Sequence, residues 1–308
     1  MEKKNLNAED VKFEGSTDAQ YAVMGDIRIR LAKPLTMGFD WVGNSRPLTQ
    51  LMAAWYMTAP QDHSMNPRLV GKPGVGKTAL AYAAGVKLNQ PVYFFQGTSD
   101  TSPNDLLVTP LVVETGKESS HVEYIASALV TAAITGGVCV LDEGNRMQEK
   151  AWSALAPLLD SRRYIDCVSV GLMIKAHKNF KFVATMNDDA SCFELPEYIK
   201  SRLHPLITLD FPDRSEERKI LEVNLPHADP KVLNLVSDFL TVARKEGDEF
   251  SVRDGIHIAN YASKLVEFER DFGRGLKIGD AVIMAVEQIL GVRHARYIKQ
   301  LVWNDKAA

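Results

Sequence analysis

The chain reads Gly71-Lys72-Pro73-Gly74-Val75-Gly76-Lys77-Thr78 between a short β-prone run, Arg68 to Val70, and an Ala- and Leu-rich helical stretch, Ala79 to Leu88. This segment fits the pattern Gly-x-x-x-x-Gly-Lys-Ser/Thr, a phosphate-binding loop that joins a strand to a helix. The glycines let backbone N–H groups turn toward an anionic phosphate, and the helix N-terminus adds its dipole. Lys77 supplies a positive charge, and Thr78 offers a hydroxyl to magnesium. The competing interpretation is a Gly- and Pro-rich surface turn, which the strand and helix on either side disfavour.

Around this loop, β-rich runs alternate with helical stretches over residues 41–211, which we take as one α/β nucleotide-binding domain. Such alternation is typical of a mostly parallel sheet covered by helices. The predicted strands are Arg68 to Val70, Val92 to Phe95, Val138 to Leu141, Lys181 to Thr185 and Leu206 to Leu209.

After Pro212 the β signal fades, and residues 212–308 are predicted to form a second, all-helical domain. The predicted helices are Ser215 to Val223, Val232 to Lys245, Val252 to Glu269 and Ala281 to Leu301.

Three segments suggest additional β structure. Residues 1–40 form an N-terminal extension in which Asp26 to Leu31 alternates between polar and apolar residues, as a short strand or hairpin does. Thr109 to Ile125 is a predicted hairpin that turns near Thr115-Gly116-Lys117, and Tyr164 to His177 is another that turns near Gly171.

Two acidic residues, Asp142 and Glu143, directly follow the apolar run Gly137 to Leu141. They therefore lie at the carboxyl end of a predicted strand, where ligands of open α/β sheets bind. Asp142 can hold a magnesium ion, and Glu143 can orient the water that attacks a γ-phosphate. An ordinary polar strand exit is the alternative. No Asn-Lys-x-Asp guanine-reading motif occurs, so adenine is the predicted base.

The amino-acid composition argues against several classes of function. The 36 basic and 39 acidic residues leave no positive excess for a polyanion, and a 45% hydrophobic content is ample for a core. The three cysteines, Cys139, Cys167 and Cys192, have no metal-ligand spacing and indicate thiols in a reducing compartment. No apolar window is long enough to span a membrane, and the N-terminus is polar, so we expect a cytoplasmic protein. The scattered histidines and the lack of a Gly-x-Ser-x-Gly elbow give no support to other hydrolytic chemistry.

The ordered motifs resemble those of an AAA+ ATPase, and more narrowly the MoxR and dynein-related branch with its CbbQ/NorQ-type activators. The resemblance covers about Trp41 to Leu265 and is carried by five segments: Gly71 to Thr78, Val140 to Arg146, Phe182 to Asn187, Ser201-Arg202-Leu203 and Ser251 to Asp254. It implies a P-loop fold with a five-stranded parallel sheet, helices on both faces and a helical lid. It also implies a hexameric or similar ring with ATP at each subunit boundary.

By this resemblance, Asn187 is a sensor of the γ-phosphate or the attacking water, and Arg202 is an arginine finger that reaches the neighbouring subunit's site. Arg146 also faces the neighbour, and Gly144 stands where an apolar residue is more usual. Each has a plainer alternative, namely a turn asparagine or solvated surface arginines.

Arg253 resembles a second sensor in the lid. Ser251 and Asp254 have capping-box spacing, which places Arg253 in the first turn of a helix and off its apolar stripe. The loop Trp41-Val42-Gly43 loosely matches the one that packs on adenine, so Val42 and Gly43 join Gly71 to Thr78 as predicted nucleotide-binding residues.

The function implied is an Mg-ATP-dependent motor that remodels or activates a client or adaptor protein, with a von Willebrand-type domain protein as one candidate partner. By the resemblance, the hairpins Thr109 to Ile125 and Tyr164 to His177 would contact that client, and ordinary surface hairpins are the alternative. The motor subunit of a metal-chelatase complex, which shares these motifs, is one alternative. A nucleotide-dependent scaffold or nucleic-acid motor is another, and the acidic charge balance disfavours nucleic acid.

Overall fold

The computed structural model describes residues 4–15, 20–38, 41–114, 120–189, 193–273 and 275–307. Contacts divide the chain into two units. The first comprises residues 1–37, 46–71 and 77–208, and the second comprises residues 38–45, 72–76 and 209–308. The loop between the first predicted strand and its helix thus contributes its middle residues to the helical unit.

The strands are β1 Lys4–Asn7, β2 Lys12–Gly15, β3 Gln20–Met24, β4 Ile27–Arg30, β5 Arg68–Gly71, β6 Val92–Gln96, β7 Val108–Glu114, β8 Ser120–Ala126, β9 Val138–Asp142, β10 Tyr164–Cys167, β11 Leu172–Lys175, β12 Lys181–Asn187 and β13 Leu206–Leu209. The helices are α1 Ser45–Ala54, α2 Lys77–Lys87, α3 Ala128–Thr135, α4 Glu149–Leu155, α5 Glu197–Lys200, α6 Arg214–Asn224, α7 Pro230–Lys245, α8 Val252–Asp271, α9 Ile278–Leu290 and α10 Ala295–Ala307.

The five predicted strands form one sheet in the order β13-β5-β12-β9-β6, which confirms the α/β prediction. Strand β12 pairs in parallel with both β5 and β9, and β6 pairs in parallel with β9. The register sets Asn187 opposite Gly71 and Gln96 opposite Asp142. Because parallel strands end at the same edge of a sheet, these four polar or loop-forming positions come together there.

The helix after the phosphate-binding loop lies close to the sheet. Leu80, Ala81 and Ala84 of α2 are fully buried. Gly85 is the closest point, since a Cβ there would lie 2.5 Å from Val92 Cγ2 and 3.3 Å from Val138 Cγ2. The absence of a side chain at Gly85 therefore lets α2 sit on β6 and β9 and fixes where its N-terminus points.

The N-terminal extension joins both predicted hairpins. Strands β7 and β8 pair antiparallel, and so do β10 and β11, which confirms the hairpins; the turn predicted near Thr115-Gly116-Lys117 falls outside the described residues. Strand β4 adds parallel to β8 and completes a sheet in the order β2-β3-β4-β8-β7. Strand β1 adds parallel to β11. One segment of fewer than 30 residues thus belongs to the sheets of two hairpins that are far apart in sequence.

The second unit contains the helices α6 to α10. The predicted helix Ala281 to Leu301 is wrong, because the chain breaks at Gly291, whose φ of 97° is outside the helical region, and continues as α10. Within this unit the fully buried carboxylate of Glu217 is held by Arg244, at 2.7 Å from Nη2. Burial raises the pKa of Glu217 despite the cation beside it.

The close approach at Gly85 can be tested by adding one methyl group. We expect Gly85→Ala to lower the free energy of unfolding by about 1–3 kcal/mol, because overpacking against the stiff side chain of Val92 outweighs the gain in helix propensity. Urea denaturation measures this. Gly38→Ala is the matched control, since a Cβ at Gly38 meets nothing within 4 Å. Adding Val92→Ala to Gly85→Ala should recover part of the loss, and a fully stable Gly85→Ala would contradict the packing described.

Candidate functional site

The loop Gly71 to Thr78 begins at the last residue of β5 and ends in the first turn of α2. Gly74 and Gly76 have φ values of 76° and 98°, conformations that side-chain-bearing residues rarely adopt. The Lys77 side chain is buried, and its Nζ donates a hydrogen bond to the carbonyl oxygen of Gly71 at 2.8 Å. The ammonium group therefore spans the loop from one end to the other.

The middle of the loop packs within the second unit. A Cβ at Gly74 would lie 2.5 Å from Ser251 Oγ and 3.3 Å from Arg253 Cβ. Ser251 and Asp254 form the predicted capping box at the start of α8. Arg253 is exposed in the first turn of that helix, as its position off the apolar stripe predicted. Lys72 forms an ion pair with Glu249 at 3.1 Å.

The predicted adenine loop also contacts the phosphate-binding loop within the second unit. The Trp41 indole lies against both Gly43 and Gly76, where a Cβ would be 3.0 Å and 3.4 Å from its ring atoms. Its Nε1 is buried and has no hydrogen-bond partner among the described residues. Val42 and Gly43 are half-buried beside it.

The predicted magnesium ligands meet in the first unit. Thr78 Oγ1 donates to Asp142 Oδ1 at 2.7 Å, and Thr185 Oγ1 donates to the same oxygen at 2.6 Å. A hydroxyl and a carboxylate are hard oxygen ligands, the kind that Mg²⁺ binds. The pair Thr78 and Asp142 therefore fits this ion chemically.

Glu143, the next residue, is surrounded by nitrogen donors. Asn187 Nδ2 donates to Oε1 at 3.2 Å, and Gln96 Nε2 donates to Oε2 at 3.1 Å. Arg146 Nε forms an ion pair with Oε2 at 2.8 Å. Asn187 and Arg146 thus lie beside Glu143 of their own chain, and both carboxylate oxygens have a protein partner.

Three residues of this cluster were not predicted from the sequence: Gln96, Thr185 and Asn145. Asn145 donates through Nδ2 to the Asn187 carbonyl at 2.8 Å and accepts from the Asn187 N–H at 3.3 Å. Thr185 could have been found, because it precedes Asn187 by two residues and so shares its face of β12. Gln96 ends its strand as Asp142 does, but only the register reveals that the two are opposite.

Gly144 is explained by its neighbour Trp152. A Cβ at Gly144 would lie 2.9 Å from Trp152 Cζ2, and the indole Nε1 donates to the Gly144 carbonyl at 3.1 Å. The indole therefore fills the space that an apolar side chain at position 144 would occupy.

The contacts that the structure describes for Arg202 are with Asp160 and with the backbone of Tyr198. Its Nη2 lies 3.3 Å from Asp160 Oδ2, and its Nη1 donates to the Tyr198 carbonyl at 2.5 Å. Asp160 also accepts from Arg162. Hydrogen bonding from Arg162, with a smaller contribution from Arg202, lowers the pKa of Asp160 from 3.8 to about 2.

Two of the three cysteines lie among the described residues. Cys139 and Cys167 are buried free thiols, and burial raises the pKa of Cys167 to about 11, whereas Cys192 falls outside the described residues. Within the described ranges, no group of three or more His, Cys, Asp or Glu side chains is arranged to hold a metal ion. The described helices include none with the length and apolarity needed to cross a bilayer.

Comparison with known sequences identifies a related domain. A family model described as AAA domain (dynein-related subfamily) matches residues 68–203. The denitrification regulatory protein NirQ of Stutzerimonas stutzeri is 30% identical over 146 residues, which are 47% of this chain and 48% of NirQ. An uncharacterized protein of Staphylococcus aureus (strain USA300) is 23% identical over 60% of this chain and 72% of its own length. The match therefore spans about half the length of NirQ.

Comparison of structures identifies a shared fold. Thermotoga maritima RuvB, described as a Holliday junction branch migration motor, aligns with a TM-score of 0.53 at 14% identity, covering 80% of this chain and 69% of that chain. A mutant form of the same protein reaches a TM-score of 0.55 at 16% identity. At these identities the likeness extends to the fold alone.

The depressed pKa of Asp160 predicts a pH dependence. Its folded-state pKa lies below the ordinary value, so its ionised form contributes stability above pH 3.8 and loses that contribution as the pH falls toward about 2. The stability difference between wild type and Asp160→Asn should therefore be constant at neutral pH and shrink on acidification below pH 3.8. Urea unfolding followed by circular dichroism at each pH measures it, with Asp10→Asn as the exposed control. A difference that grows on acidification would refute the ion-pair account.

Proposed function

We propose that the protein is a Mg-dependent ATPase that works as a ring and remodels or activates a partner protein, because a family model described as AAA domain (dynein-related subfamily) matches residues 68–203. The observation that carries the proposal is the contact of Thr78 with Asp142 next to a Glu143 held by Asn187. It joins the residue types that ATP hydrolysis needs at one edge of the central sheet.

The loop and the adjoining carboxylate would hold the substrate. Backbone N–H groups of Gly71 to Thr78 and the buried Lys77 would bind the phosphates of ATP, and Thr78 and Asp142 would hold the magnesium ion. When bound, the ion would neutralise charge that develops on the phosphoryl oxygens. The Thr78 hydroxyl would offer its oxygen lone pairs to the metal while its O–H donates a hydrogen bond to Asp142.

Glu143 would orient the attacking water and accept its proton. The Glu143 side chain is 32% exposed and a carboxylate has about four acceptor sites, so a water molecule can bind it alongside Asn187, Gln96 and Arg146. Asn187 would stay near the water as a donor, since its backbone is fixed on both sides by Asn145.

The positions of Arg202 and Arg253 support our proposal that the protein assembles into a ring. Arg202 contacts Asp160 and the backbone of Tyr198, so it has no described contact with the Glu143 cluster of its own chain. A trans arrangement, in which Arg202 acts on the ATP of the neighbouring subunit, gives it the role of an arginine finger. Arg253 beside Gly74 would report the nucleotide state to the helical unit. We expect a hexamer.

The partner is proposed to be a client or adaptor protein. NirQ is a denitrification regulatory protein by name, and an activator role for this chain is the corresponding proposal. The hairpins β7–β8 and β10–β11 offer apolar side chains to such a partner, with Val112 66% and Val168 69% exposed. We place the protein in the cytoplasm because its two described cysteines are unpaired thiols.

ATP turnover as a function of protein concentration tests the shared site. We expect turnover per subunit to rise with concentration, and both Glu143→Gln and Arg202→Ala to lose at least ~100-fold in turnover, because one removes the base and the other the trans cation. An equal mixture of the two variants should regain activity, since roughly a quarter of the boundaries in a random cyclic ring pair an intact Glu143 with an intact Arg202.

Arg270→Ala, a change of an exposed arginine that pairs with Glu267, is the control and should behave as wild type. Turnover that is independent of concentration in a monomeric protein would refute the trans role of Arg202. Full turnover by Glu143→Gln would refute the assignment of the base.

A further inference from the structure

One buried hydroxyl contacts both acidic residues of the site. Thr185 is 1% exposed near the end of β12. Its Oγ1 donates to Asp142 Oδ1 at 2.6 Å and accepts the backbone N–H of Glu143 at 3.1 Å. A hydroxyl has one proton and two lone pairs, so it can make both bonds at once.

The second bond supports an unusual backbone conformation. Glu143 has φ 53° and ψ 40°, the left-handed region that residues with a Cβ rarely occupy. This conformation begins the short turn Gly144–Arg146, in which the Arg146 N–H donates to the Glu143 carbonyl at 2.9 Å. Such backbone strain persists where surrounding contacts hold it. The hydroxyl of Thr185 supplies one of those contacts from the neighbouring strand.

The first bond fixes the carboxylate of Asp142. Thr78 and Thr185 donate to the same oxygen, from α2 and from β12. Thr78 would also offer its hydroxyl oxygen to the proposed ion, and its bond to Asp142 would then be free to change on ion binding. Thr185 belongs to the sheet and keeps the rotamer of Asp142 whichever way Thr78 turns.

We propose that Thr185 is a positioning residue that orients the metal-binding carboxylate of Asp142 and the backbone of the base Glu143 through a single hydroxyl. The inference rests on the proposed function and adds a residue to it. Thr185 acts through Asp142 and Glu143 rather than on the substrate itself. The competing explanation is that the hydroxyl only satisfies buried hydrogen-bonding groups near the end of β12. The two explanations differ in whether loss of the hydroxyl weakens the binding of Mg²⁺.

The test compares Thr185→Val, which removes the hydroxyl at nearly constant shape, with Thr185→Ser, which keeps it. Thr131→Val is the matched control, because Thr131 is also fully buried. This substitution removes the hydrogen bond that the Ala32 N–H donates to Thr131 Oγ1 at 2.9 Å, which lies outside the Asp142 and Glu143 cluster. For each protein we would measure the Mg²⁺ concentration that half-saturates binding of a fluorescent ATP analogue, the analogue's affinity without Mg²⁺, ATP turnover and the melting temperature.

We expect Thr185→Val to raise the half-saturating Mg²⁺ concentration by about 10-fold or more and to lower turnover by at least as much, since lost outer contacts of a metal ligand typically weaken binding by about 10- to 100-fold. The affinity without Mg²⁺ depends on the loop and should stay within about 2-fold. Thr185→Ser should restore both properties. Thr131→Val should lower the melting temperature and leave the Mg²⁺ dependence unchanged.

A Thr185→Val protein with wild-type Mg²⁺ dependence and turnover would overturn the proposal, even if its melting temperature fell as that of Thr131→Val does. If Thr185→Val does not fold, Thr185→Ala carries the same comparison. Failure of the proposed function is distinguishable: the wild-type protein would then bind the analogue without any Mg²⁺ dependence and hydrolyse no ATP, and this inference would fall with it.

Discussion

The carboxylate of Asp142 is the point where three elements of the first unit are held together. Its Oδ1 accepts hydrogen bonds from the hydroxyls of Thr78 in α2 and Thr185 in β12, and Asp142 is the last residue of β9. This geometry requires that α2 lie close to the sheet, which Gly85 permits, and that β12 pair with β9 in the register that sets Ala184 opposite Leu141. The neighbouring Glu143 adopts a left-handed backbone conformation, with φ 53°, beside this carboxylate. Placement of the acidic pair is therefore a property of the whole sheet rather than of the Asp-Glu dipeptide.

Much of this arrangement could be predicted from the sequence because its signals are local. The apolar runs marked the five strands, the loop pattern marked the start of α2, and Ser251 with Asp254 marked the start of α8. Gln96 and Asp160 were missed because each acts through a residue at least 42 positions away, which only the register and packing bring near. The break at Gly291 was missed because the apolar pattern continues across it.

Residues 72–76 of the phosphate-binding loop belong to the second unit, and the residues on either side of them, 71 and 77, belong to the first. Gly74 bears no side chain, and Ser251 Oγ occupies the place where its Cβ would be. The same absence lets Arg253 Cβ approach Gly74 within the second unit, where a Cβ at Gly74 would lie 3.3 Å from it. The neighbouring Lys77 is buried and bonded to Gly71, so the loop is organised before any nucleotide is considered. The loop conformation therefore depends on the positive φ angles of Gly74 and Gly76 and on the hydrogen bond from Lys77 to Gly71.

The pairing of the N-terminal strands has a consequence for how chains of this kind can diverge. The hairpins β7–β8 and β10–β11 are separate in sequence, yet β4 is complementary to one and β1 to the other. Replacing either hairpin with that of a relative also replaces the edge to which an N-terminal strand adds. A transplanted hairpin would therefore have to present an edge to which β4 or β1 can still add.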